Sequence, residues 1–597
     1  MPGLAGFTRD AVRDQEPLGV LGAMRALLTH ADYYVQDTLW CDESVCGTRP
    51  VTGVIHREPQ PHRQDDVAIW LDGSIYNGAE VAAAHGFQAD DELTVLAGLY
   101  QRNPTLDFLK KLDGFFSAVI YDIRRKLLHL VTDRYGLRYL YWSQHNGGLV
   151  WGGEAKVVFA LPDFQPVVNQ QAVNQFVQLG YLLEDSSLLD GVQLVPSGSV
   201  MTWNLVERSL RQTRYWWWDA MPPLDLAVKA QNAAELLYDH FRQAVARAST
   251  QSIVNLELSG GLDSRAVFAA IPEGRDLHTF TIGQVGCDDI RIAAQVSQLR
   301  DARHHVLELH GETWINERAL AEIWEQDGQV SLAQIIGSSP NFPNPLDDAL
   351  RLNGFAGDLV IGGSYLQRHA LDTDITVEIA VAKMKCASDL IANLEHYRGL
   401  GKTDYYFMQN RVRRFTMGGI RRQLTRGEVQ MPFMDNTLLE TIYRLPDWMR
   451  YESYVYRLML LTYYPNYYRH IPWQKSGATI NTGNPFAPGI NYRRKVERLS
   501  KKYRRKLGLI QPTAATKGHA DRAKWIRAEP SRLIFERVLT DPDALYPDYV
   551  SRDQVIQDWE HHFTGVDRSN ALCHVFTLEI WLQKVFTGRH RLPSRTS

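Results

Sequence analysis

The chain has 597 residues, of which 45% are apolar and 22% charged, and its formal net charge is −3. This length exceeds what one hydrophobic core accommodates, so two or more domains are expected. The near-neutral charge excludes a general attraction to nucleic acid or anionic membranes. The apolar runs are too short to span a bilayer, and the N-terminus has no secretory signal pattern. Together these features predict a cytoplasmic protein.

Residues 1–210 are predicted to form short strands separated by turns, with helices between them. The predicted strands are Val67–Leu71, Phe116–Tyr121, Leu127–Thr132, Leu149–Trp151 and Ser199–Trp203, and the predicted helices are Glu92–Gln101 and Gln170–Leu179. Asp-Gly and Asn-Gly pairs interrupt the strands, as is typical of turns. The mixture predicts an α+β layered domain.

Cys41 and Cys46 lie close together near the start of this domain. A small disulfide loop or half of a metal site are the alternatives to a free pair. Because no second cysteine pair or histidine cluster is near them in sequence, we expect a reduced pair.

An aromatic run then marks residues 211–223 as a linker. Tyr215-Trp216-Trp217-Trp218 is followed by Met221-Pro222-Pro223. A cluster of this kind is more typical of an interface filler than of a ligand platform, so we expect it to pack between two domains.

Residues 224–597 alternate between helix and strand and then become mainly helical after residue 365. The predicted order is helix Ala227–Ala248, strand Ile253–Leu258, helix Arg265–Ile271, strand Leu277–Ile282, helix Asp289–Leu299 and strand His304–Leu309. Such alternation predicts a parallel, doubly wound sheet, whose ligands bind at the carboxyl ends of the strands.

The loop Ser259-Gly260-Gly261-Leu262-Asp263-Ser264 lies at such a strand end. Its glycines permit close approach of a polyphosphate to the backbone, and its serines offer hydroxyl donors. Asp263 would repel phosphate unless Mg²⁺ lay between them. The loop lacks the Gly-Lys-Ser/Thr of a Walker-type P-loop. It resembles instead the pyrophosphate loop of ATP pyrophosphatases, which cleave ATP to AMP and PPi.

Other segments extend this resemblance along most of the chain. They read LDGSIYN (71–77), GFFSAVIYD (114–122), TDRYGLRYLYW (132–142), GEAK (153–156) and MPFMD (431–435). In this order they resemble the asparagine synthetase superfamily. The resemblance implies an α+β glutaminase-like domain of the Ntn-hydrolase type, followed by an α/β ATP-pyrophosphatase domain of the adenine nucleotide alpha hydrolase-like class.

The resemblance also implies a set of site residues. ATP would be bound by Leu258, Ser259, Gly260, Gly261, Asp263 and Ser264. The segment Asn353–Asp358 resembles the second Gly-rich loop of the family, so that Gly357 would contact ATP and Asp358 would join Asp263 as a Mg²⁺ ligand. The backbone near Ile282 would meet adenine.

Two departures from the family pattern concern the amine donor. Position 2, where the glutaminase nucleophile of the family is a Cys, is Pro2, and the family's Asn-Gly pair stands here as Asp72-Gly73. A carboxylate there would oppose a developing oxyanion. We therefore predict a domain that cannot release ammonia from glutamine and persists as a scaffold.

Two branches of the family lack the nucleophile in this way, the β-lactam and carbapenam synthetases and the lasso peptide cyclases. Ile-Pro-Trp-Gln-Lys-Ser-Gly (471–477) resembles the lysine motif of the lasso cyclases, and residues 519–527 resemble a C-terminal segment of that branch. Lys475 is the implied catalytic cation. Phe355 stands where β-lactam synthetases have a Tyr, which leaves the base unnamed, with Glu378 and His369 as candidates.

The sequence therefore predicts a lasso peptide cyclase that uses ATP and Mg²⁺. Its partners would be a precursor-derived core peptide and, in a complex, a leader peptidase and a leader-recognition protein. The alternatives are a glutamine-independent small-molecule amide or β-lactam-type synthetase, a glutamine-independent asparagine synthetase-like protein, and a scaffold without activity. The basic segment Arg493–Arg505 is interpreted as a solvated helix face rather than a peptide contact.

Overall fold

The computed structural model describes residues 2–13, 15–335, 350–486 and 518–588. The basic segment Arg493–Arg505 lies outside them. The first part of the chain contains two six-stranded sheets of order β12-β10-β11-β1-β4-β3 and β14-β13-β9-β8-β7-β6, and a two-stranded sheet of β2 and β5. The strands are β1 (Ala5–Thr8), β2 (Val35–Gln36), β3 (Trp40–Cys41), β4 (Val45–Thr48), β5 (Pro50–Val51), β6 (His62–Gln64), β7 (Val67–Ile75), β8 (Gly114–Asp122), β9 (Leu127–Thr132), β10 (Tyr141–His145), β11 (Gly148–Gly152), β12 (Val192–Leu194), β13 (Ser199–Asn204) and β14 (Ser209–Arg214).

The alternation of side chains along β7 shows how these sheets are layered. Ile69 and Leu71 pack in one cluster with Leu96 of helix α3, while Ala68 and Trp70 pack in another with residues of the first sheet. Since successive side chains of a strand point to opposite faces, β7 is buried on both sides. The result is helix, sheet, sheet and helix in four layers, which confirms the predicted α+β domain. Its helices are α1 (Pro17–Leu28), α2 (Gly78–Ala84), α3 (Glu92–Arg102) and α4 (Gln170–Leu179).

The second part of the chain contains a five-stranded sheet in which every neighbouring pair is parallel. Its order is β17-β16-β15-β18-β19, formed by β15 (Ile253–Glu257), β16 (Asp276–Gln284), β17 (Arg303–Leu309), β18 (Leu350–Leu352) and β19 (Glu428–Gln430). From β15 the chain builds first to one side and then to the other. The carboxyl ends of β15 and β18 therefore border the switch point at which open α/β sheets bind ligands.

Helices, connected by loops, cover this sheet in the rest of the described chain. They are α5 (Ala230–Ala248), α6 (Asp263–Ala270), α7 (Asp288–Ser297), α8 (Glu317–Glu325), α9 (Gly357–Val360), α10 (Val377–Met384), α11 (Asp404–Phe407), α12 (Met417–Leu424), α13 (Asn436–Tyr443), α14 (Asp447–Arg450), α15 (Tyr454–Tyr463), α16 (Pro465–Tyr468), α17 (Arg522–Arg527), α18 (Ser531–Thr540), α19 (Arg552–Phe563) and α20 (Ser569–Thr587). Within the described ranges, no helix has the length and apolar character needed to cross a membrane.

The aromatic run joins the two parts of the chain as expected. Trp216 contacts Tyr135 of the first part edge to face, with ring centroids 5.3 Å apart, and Trp218 stacks on Tyr405 of the second part at 4.6 Å. One continuous buried cluster includes residues of both parts. Strand β14 continues to Arg214, four residues past the predicted end of the first domain.

The expectation of a reduced cysteine pair is wrong, because Cys41 and Cys46 form a disulfide. Strands β3 and β4 pair antiparallel, and their register sets Cys41 directly opposite Cys46. The Cα atoms of the two residues are 4.1 Å apart. The sequence spacing alone did not reveal the hairpin register that brings the thiols together.

Candidate active site

The loop between β15 and α6 is held by hydrogen bonds among its own serines. The Ser264 hydroxyl accepts from the backbone N–H of Ser259 at 3.0 Å and lies 3.0 Å from the Ser259 hydroxyl, which accepts from the N–H of Gly261 at 3.1 Å. The N–H of Gly260 donates to the Asp289 carboxylate at 2.9 Å. The hydroxyls of Ser259 and Ser264, which were predicted to bind phosphate, therefore also stabilise the conformation of the loop.

The second Gly-rich segment lies directly on this loop. A Cβ at Gly354 would stand 2.5 Å from the backbone nitrogen of Ser264, and one at Gly357 would stand 2.6 Å from the carboxyl carbon of Asp263. Real Cβ atoms do not approach this closely, so only glycine permits the contact. The N–H of Asp358 completes it by donating to Asp263 at 2.7 Å. Two segments that are about 90 residues apart in sequence thus form one structural unit.

Asp263 and Asp358 form an acidic pair at this junction. Burial, followed by the neighbouring Asp358 carboxylate, raises the pKa of Asp263 to about 7, and the Tyr456 hydroxyl donates to Asp263 at 3.0 Å. Two adjacent carboxylates that repel each other fit a hard divalent cation such as Mg²⁺, which prefers oxygen ligands. No group of three or more His, Cys, Asp or Glu that fits a metal occurs among the described residues. Phosphate and water oxygens would supply the remaining ligands.

Lys475 lies on a third segment that is anchored to the first loop. The N–H of Gln474 donates to the carbonyl of Gly260 at 3.1 Å, and the N–H of Trp473 donates to Ala478 at 2.9 Å, which folds the segment back on itself. The Lys475 side chain is 65% exposed, and its ammonium lies 3.9 Å from the Asp358 carboxylate and 5.3 Å from the centre of the Trp473 ring. The cation is thus near the acidic pair and free to reach into solvent.

Arg265, which the sequence did not single out, connects these segments. It is fully buried, and its guanidinium donates to the carbonyls of Gly260 and Pro472, both at 3.0 Å, and to those of Tyr467 at 3.2 Å and Ile471 at 3.3 Å. A planar group with five donors suits several carbonyls at fixed angles. Its position directly after Ser264 was the only sequence signal.

A cavity of about 370 Å³ opens where these elements meet. The predicted residues in its wall are Leu258, Ser259, Gly261, Asp263, Ser264 and Ile282. Gly260, Gly357, Asp358 and Lys475 lie behind or beside that wall, through the contacts described above. Four wall residues, Asn353, Gly354, Thr281 and His519, lie in or beside segments that the sequence analysis named without assigning them a role, and Phe280 adjoins Thr281. Wall residues that sequence reasoning missed are Glu257, Asp289 and Arg422. The volume is that of a site for a small organic ligand.

The two candidate bases do not line this cavity. Glu378 lies in the first turn of α10, and a hydrogen bond from Thr376 lowers the pKa of its carboxyl. A carboxylate with a lowered pKa holds a proton weakly, so Glu378 is a poor general base near neutral pH. His369 is exposed. Phe355 is buried and packs in the core. The structure thus names no base at these three positions.

The region of the expected glutaminase nucleophile is filled by protein. Pro2 is buried. The Asp72 carboxylate accepts from the Arg138 guanidinium at 2.6 and 2.5 Å, and Arg138 also donates at 2.9 Å to Glu428 of β19, so the three side chains form a buried group across the two parts of the chain. Asp72 was expected to oppose an oxyanion; its carboxylate is bound to Arg138 instead.

Comparisons with known proteins cover both parts of the chain. The family model described as Glutamine amidotransferase domain matches residues 1–216, and the one described as Asparagine synthase matches residues 236–336. The glutamine-hydrolyzing asparagine synthetase 2 of Bacillus subtilis (strain 168) is 27% identical over 243 residues, which are 37% of this chain and 32% of that protein.

Two further relatives align over about half of the chain. A putative glutamine-hydrolyzing asparagine synthetase 2 of Methanocaldococcus jannaschii is 25% identical, over 53% of this chain and 63% of its own length. The glutamine-hydrolyzing asparagine synthetase 2 of Oryza sativa subsp. japonica is 27% identical, over 52% of this chain and 50% of its own length. The chain therefore spans about a third to 63% of the length of these three relatives. Among solved structures, a B. subtilis glutamine phosphoribosylpyrophosphate amidotransferase is 11% identical, over 51% of this chain and 91% of its own, with a TM-score of 0.27, a likeness too weak to support a conclusion.

Proposed function

We propose that the chain, which is similar to asparagine synthetases over about half of its length, is an ATP-dependent amide ligase, and specifically a lasso peptide cyclase. The observation that carries the proposal is the junction of three segments around one cavity: the loop Ser259–Ser264, the Gly-rich segment ending at Asp358, and the segment bearing Lys475. A nucleotide loop, an acidic pair and a lysine at one site are the groups that carboxylate activation and aminolysis need.

The first half-reaction activates a carboxylate. An Asp or Glu side chain of the core peptide attacks the α-phosphorus of ATP, a P–O bond to the β-phosphate breaks, and PPi leaves. The N–H groups of Ser259, Gly260 and Gly261 donate within the protein, so the N-terminus of α6, which begins at Asp263, would face the phosphates and stabilise their charge. Asp263 and Asp358 would hold Mg²⁺, which supplies charge neutralisation of the phosphates.

The second half-reaction forms the amide. The peptide's N-terminal amine attacks the acyl carbon of the adenylate, the bond from carbon to the AMP oxygen breaks, and the amine loses a proton. The Lys475 ammonium, which lies 3.9 Å from the Asp358 carboxylate, would stabilise the negative charge that develops on the acyl oxygen and on the departing AMP. A peptide α-amine has a pKa near 8, so a substantial share is already unprotonated at neutral pH.

In this proposal the amine belongs to the substrate. Pro2 provides no nucleophilic side chain, and Asp72 is bound to Arg138. The resemblance of residues 471–477 to the lysine motif of lasso cyclases supports a peptide as the substrate. A leader peptidase that exposes the amine and a leader-recognition protein that delivers the peptide would then be the partners.

The test is ATP–PPi exchange with a synthetic core peptide that has a free N-terminus and an acidic residue several positions on. We expect peptide-dependent exchange and a product that has lost one water. Asp263→Ala should abolish the exchange, whereas Asp190→Ala, at an exposed acid, should not change it. Lys475→Met should retain exchange and slow product formation by about 10²- to 10³-fold, as loss of one oxyanion-stabilising group does, with exposed Lys111→Met as its control.

The opposing outcomes are separable. Exchange with a small amino acid derivative but with no peptide would replace the cyclase by a small-molecule synthetase. If no carboxylate supported ATP–PPi exchange, and Asp263→Ala behaved like the unaltered protein, both enzyme hypotheses would be contradicted. A scaffold without activity would then remain.

A further inference from the structure

The C-terminal region of the chain returns to the candidate active site. Its first described residues lie along the end of β16, where the N–H of Gln284 donates to the His519 carbonyl at 2.8 Å and the Gln284 side chain donates to the Gly518 carbonyl at 2.7 Å. Both backbone and side chain of Gln284 thus fix this segment. Residues 518–520 lie far beyond the part of the chain that the Asparagine synthase model matches, which ends at residue 336.

His519 forms part of the cavity wall next to Phe280, Thr281 and Ile282 of β16. The cavity has two chemically different ends. One end is formed by the loop around Asp263 and Ser264 and by Gly354, where hydroxyls, N–H groups and carboxylates meet. The other end is formed by β16 and His519, where the side chains of Phe280, Thr281 and Ile282 and one imidazole meet, with the Asp289 carboxylate near enough to act on the charge of His519.

This polarity orients a nucleotide. Phosphates belong at the end with the helix N-terminus and the acidic pair, because the start of α6 and the carboxylates of Asp263 and Asp358, where a cation would bind, meet there. The base then belongs at the β16 end, where apolar and aromatic surface can cover its rings.

The imidazole of His519 is suited to that role in its neutral form. Burial, followed by the charge of Arg522, lowers the pKa of His519. Desolvation and the nearby guanidinium both disfavour imidazolium, so at neutral pH the ring presents an uncharged aromatic face and one donor and one acceptor nitrogen.

We propose that the His519 ring contacts the base of the bound nucleotide, so that the C-terminal region completes the base-binding end of the cavity. The proposal rests on the proposed function, since it assumes that the cavity binds ATP. It adds a role for the segment 519–527, in which α17 (Arg522–Arg527) is anchored by Trp525 against Trp314 with ring centroids 5.7 Å apart. That packing holds the backbone from which His519 projects.

The experiment compares two ligands by isothermal titration calorimetry in the presence of Mg²⁺. ATP engages both ends of the cavity, whereas inorganic tripolyphosphate engages only the phosphate end. For His519→Ala we expect the Kd of ATP to rise about tenfold, the scale of one lost base–aromatic contact, and the Kd of tripolyphosphate to stay unchanged. His519→Phe, which keeps an aromatic ring, should recover most of the ATP affinity.

The matched control is His310→Ala, at an exposed histidine outside the cavity wall, which should leave both affinities unchanged. A purely structural role of His519 would weaken ATP and tripolyphosphate equally, and that result would overturn the proposal. Equal ATP affinity of His519→Ala and the unaltered protein would overturn it while leaving the proposed function intact. If the unaltered protein bound no nucleotide, the proposed function itself would fail.

Discussion

At the scale of single residues, Gly354 shows why the two loops can form one unit. A Cβ at this position would meet the backbone nitrogen of Ser264 at 2.5 Å, and neighbouring backbone atoms of Asp263 and Ser264 lie at 2.9 Å. Backbone cannot yield as a flexible side chain can, so the Gly354→Ala change should push the loops apart.

We expect Gly354→Ala to weaken ATP binding at least about tenfold, because the loop geometry that receives the phosphates is displaced. The measurement is the Kd of ATP by calorimetry. Gly419→Ala is the control, since nothing lies within 4 Å of a Cβ there and Gly419 is inside α12, where alanine is the better helix former. Equal ATP affinity for both variants would show that the contact does not matter for binding.

Asp263 gives a pH dependence whose sign follows from its raised pKa. Its carboxyl titrates at about 7 in the folded protein, because burial and Asp358 disfavour the charge, against an ordinary value of 3.8 in the unfolded chain. Between these values the folded state binds more protons than the unfolded state. Without Mg²⁺, this carboxyl therefore makes the protein less stable as the pH rises from about 4 to about 7.

Asp263→Asn removes this titration while keeping the side chain's shape. Without Mg²⁺ its melting temperature should exceed that of the unaltered protein, and the difference should grow between about pH 5 and about pH 8. Differential scanning fluorimetry across that range measures it. A difference that shrinks with rising pH would contradict the assigned direction.

At the scale of elements, the position of Lys475 depends on Arg265. The carbonyls of Tyr467, Ile471 and Pro472, just before the lysine segment, all accept from this guanidinium, which also holds the Gly260 carbonyl. Arg265 thus binds the backbone of both the lysine segment and the Ser259–Ser264 loop, and it acts as a positioning residue for Lys475.

Arg265→Lys keeps the charge but cannot reach four carbonyls at once. We expect amide formation to fall by about tenfold or more and ATP–PPi exchange to fall less, because a shift near 1 Å in the lysine segment suffices for such a loss. Arg291→Lys, at a half-exposed arginine on α7, provides the comparison. A parallel loss of both activities would indicate general damage to the loop and not a displaced lysine.

Elements with a strong local pattern could be predicted from the sequence. The apolar run at 253–258 predicted β15, and the helix predicted at Arg265–Ile271 is α6, which begins two residues earlier, at Asp263. Other features depend on contacts that no local pattern records. The Tyr456 hydroxyl reaches Asp263 across 193 residues, and the histidine at 519 reaches the cavity from the last quarter of the chain. The prediction for Cys41 and Cys46 depended on their neighbours in sequence, whereas the β3–β4 register sets the two residues opposite each other in a disulfide.

At the scale of the whole molecule, buried ion pairs join the two domains. Arg138 is fully buried between Asp72 of the first domain and Glu428 of the second, and Lys156 of the first lies 3.2 Å from Asp327 of the second. Removal of one partner from such a group leaves the others charged in a medium that solvates them poorly.

Arg138→Met should therefore lower the free energy of unfolding by about 3–5 kcal/mol. Arg208→Met removes an exposed arginine that pairs with Asp10 and should cost at most about 1 kcal/mol. Urea unfolding followed by circular dichroism measures both. The triple variant with Asp72→Asn and Glu428→Gln should recover part of the loss, because no unpaired charge remains; without recovery, the loss would come from packing.

The same buried group makes the second domain depend on the first. A descendant that lost residues 1–210 would leave Glu428, on the last strand of the sheet that holds the nucleotide loop, without its guanidinium. Deletion would thus leave a buried carboxylate of the second domain without its counter-charge. The second domain therefore depends on the first for the neutralisation of this charge, whatever chemistry the first domain performs.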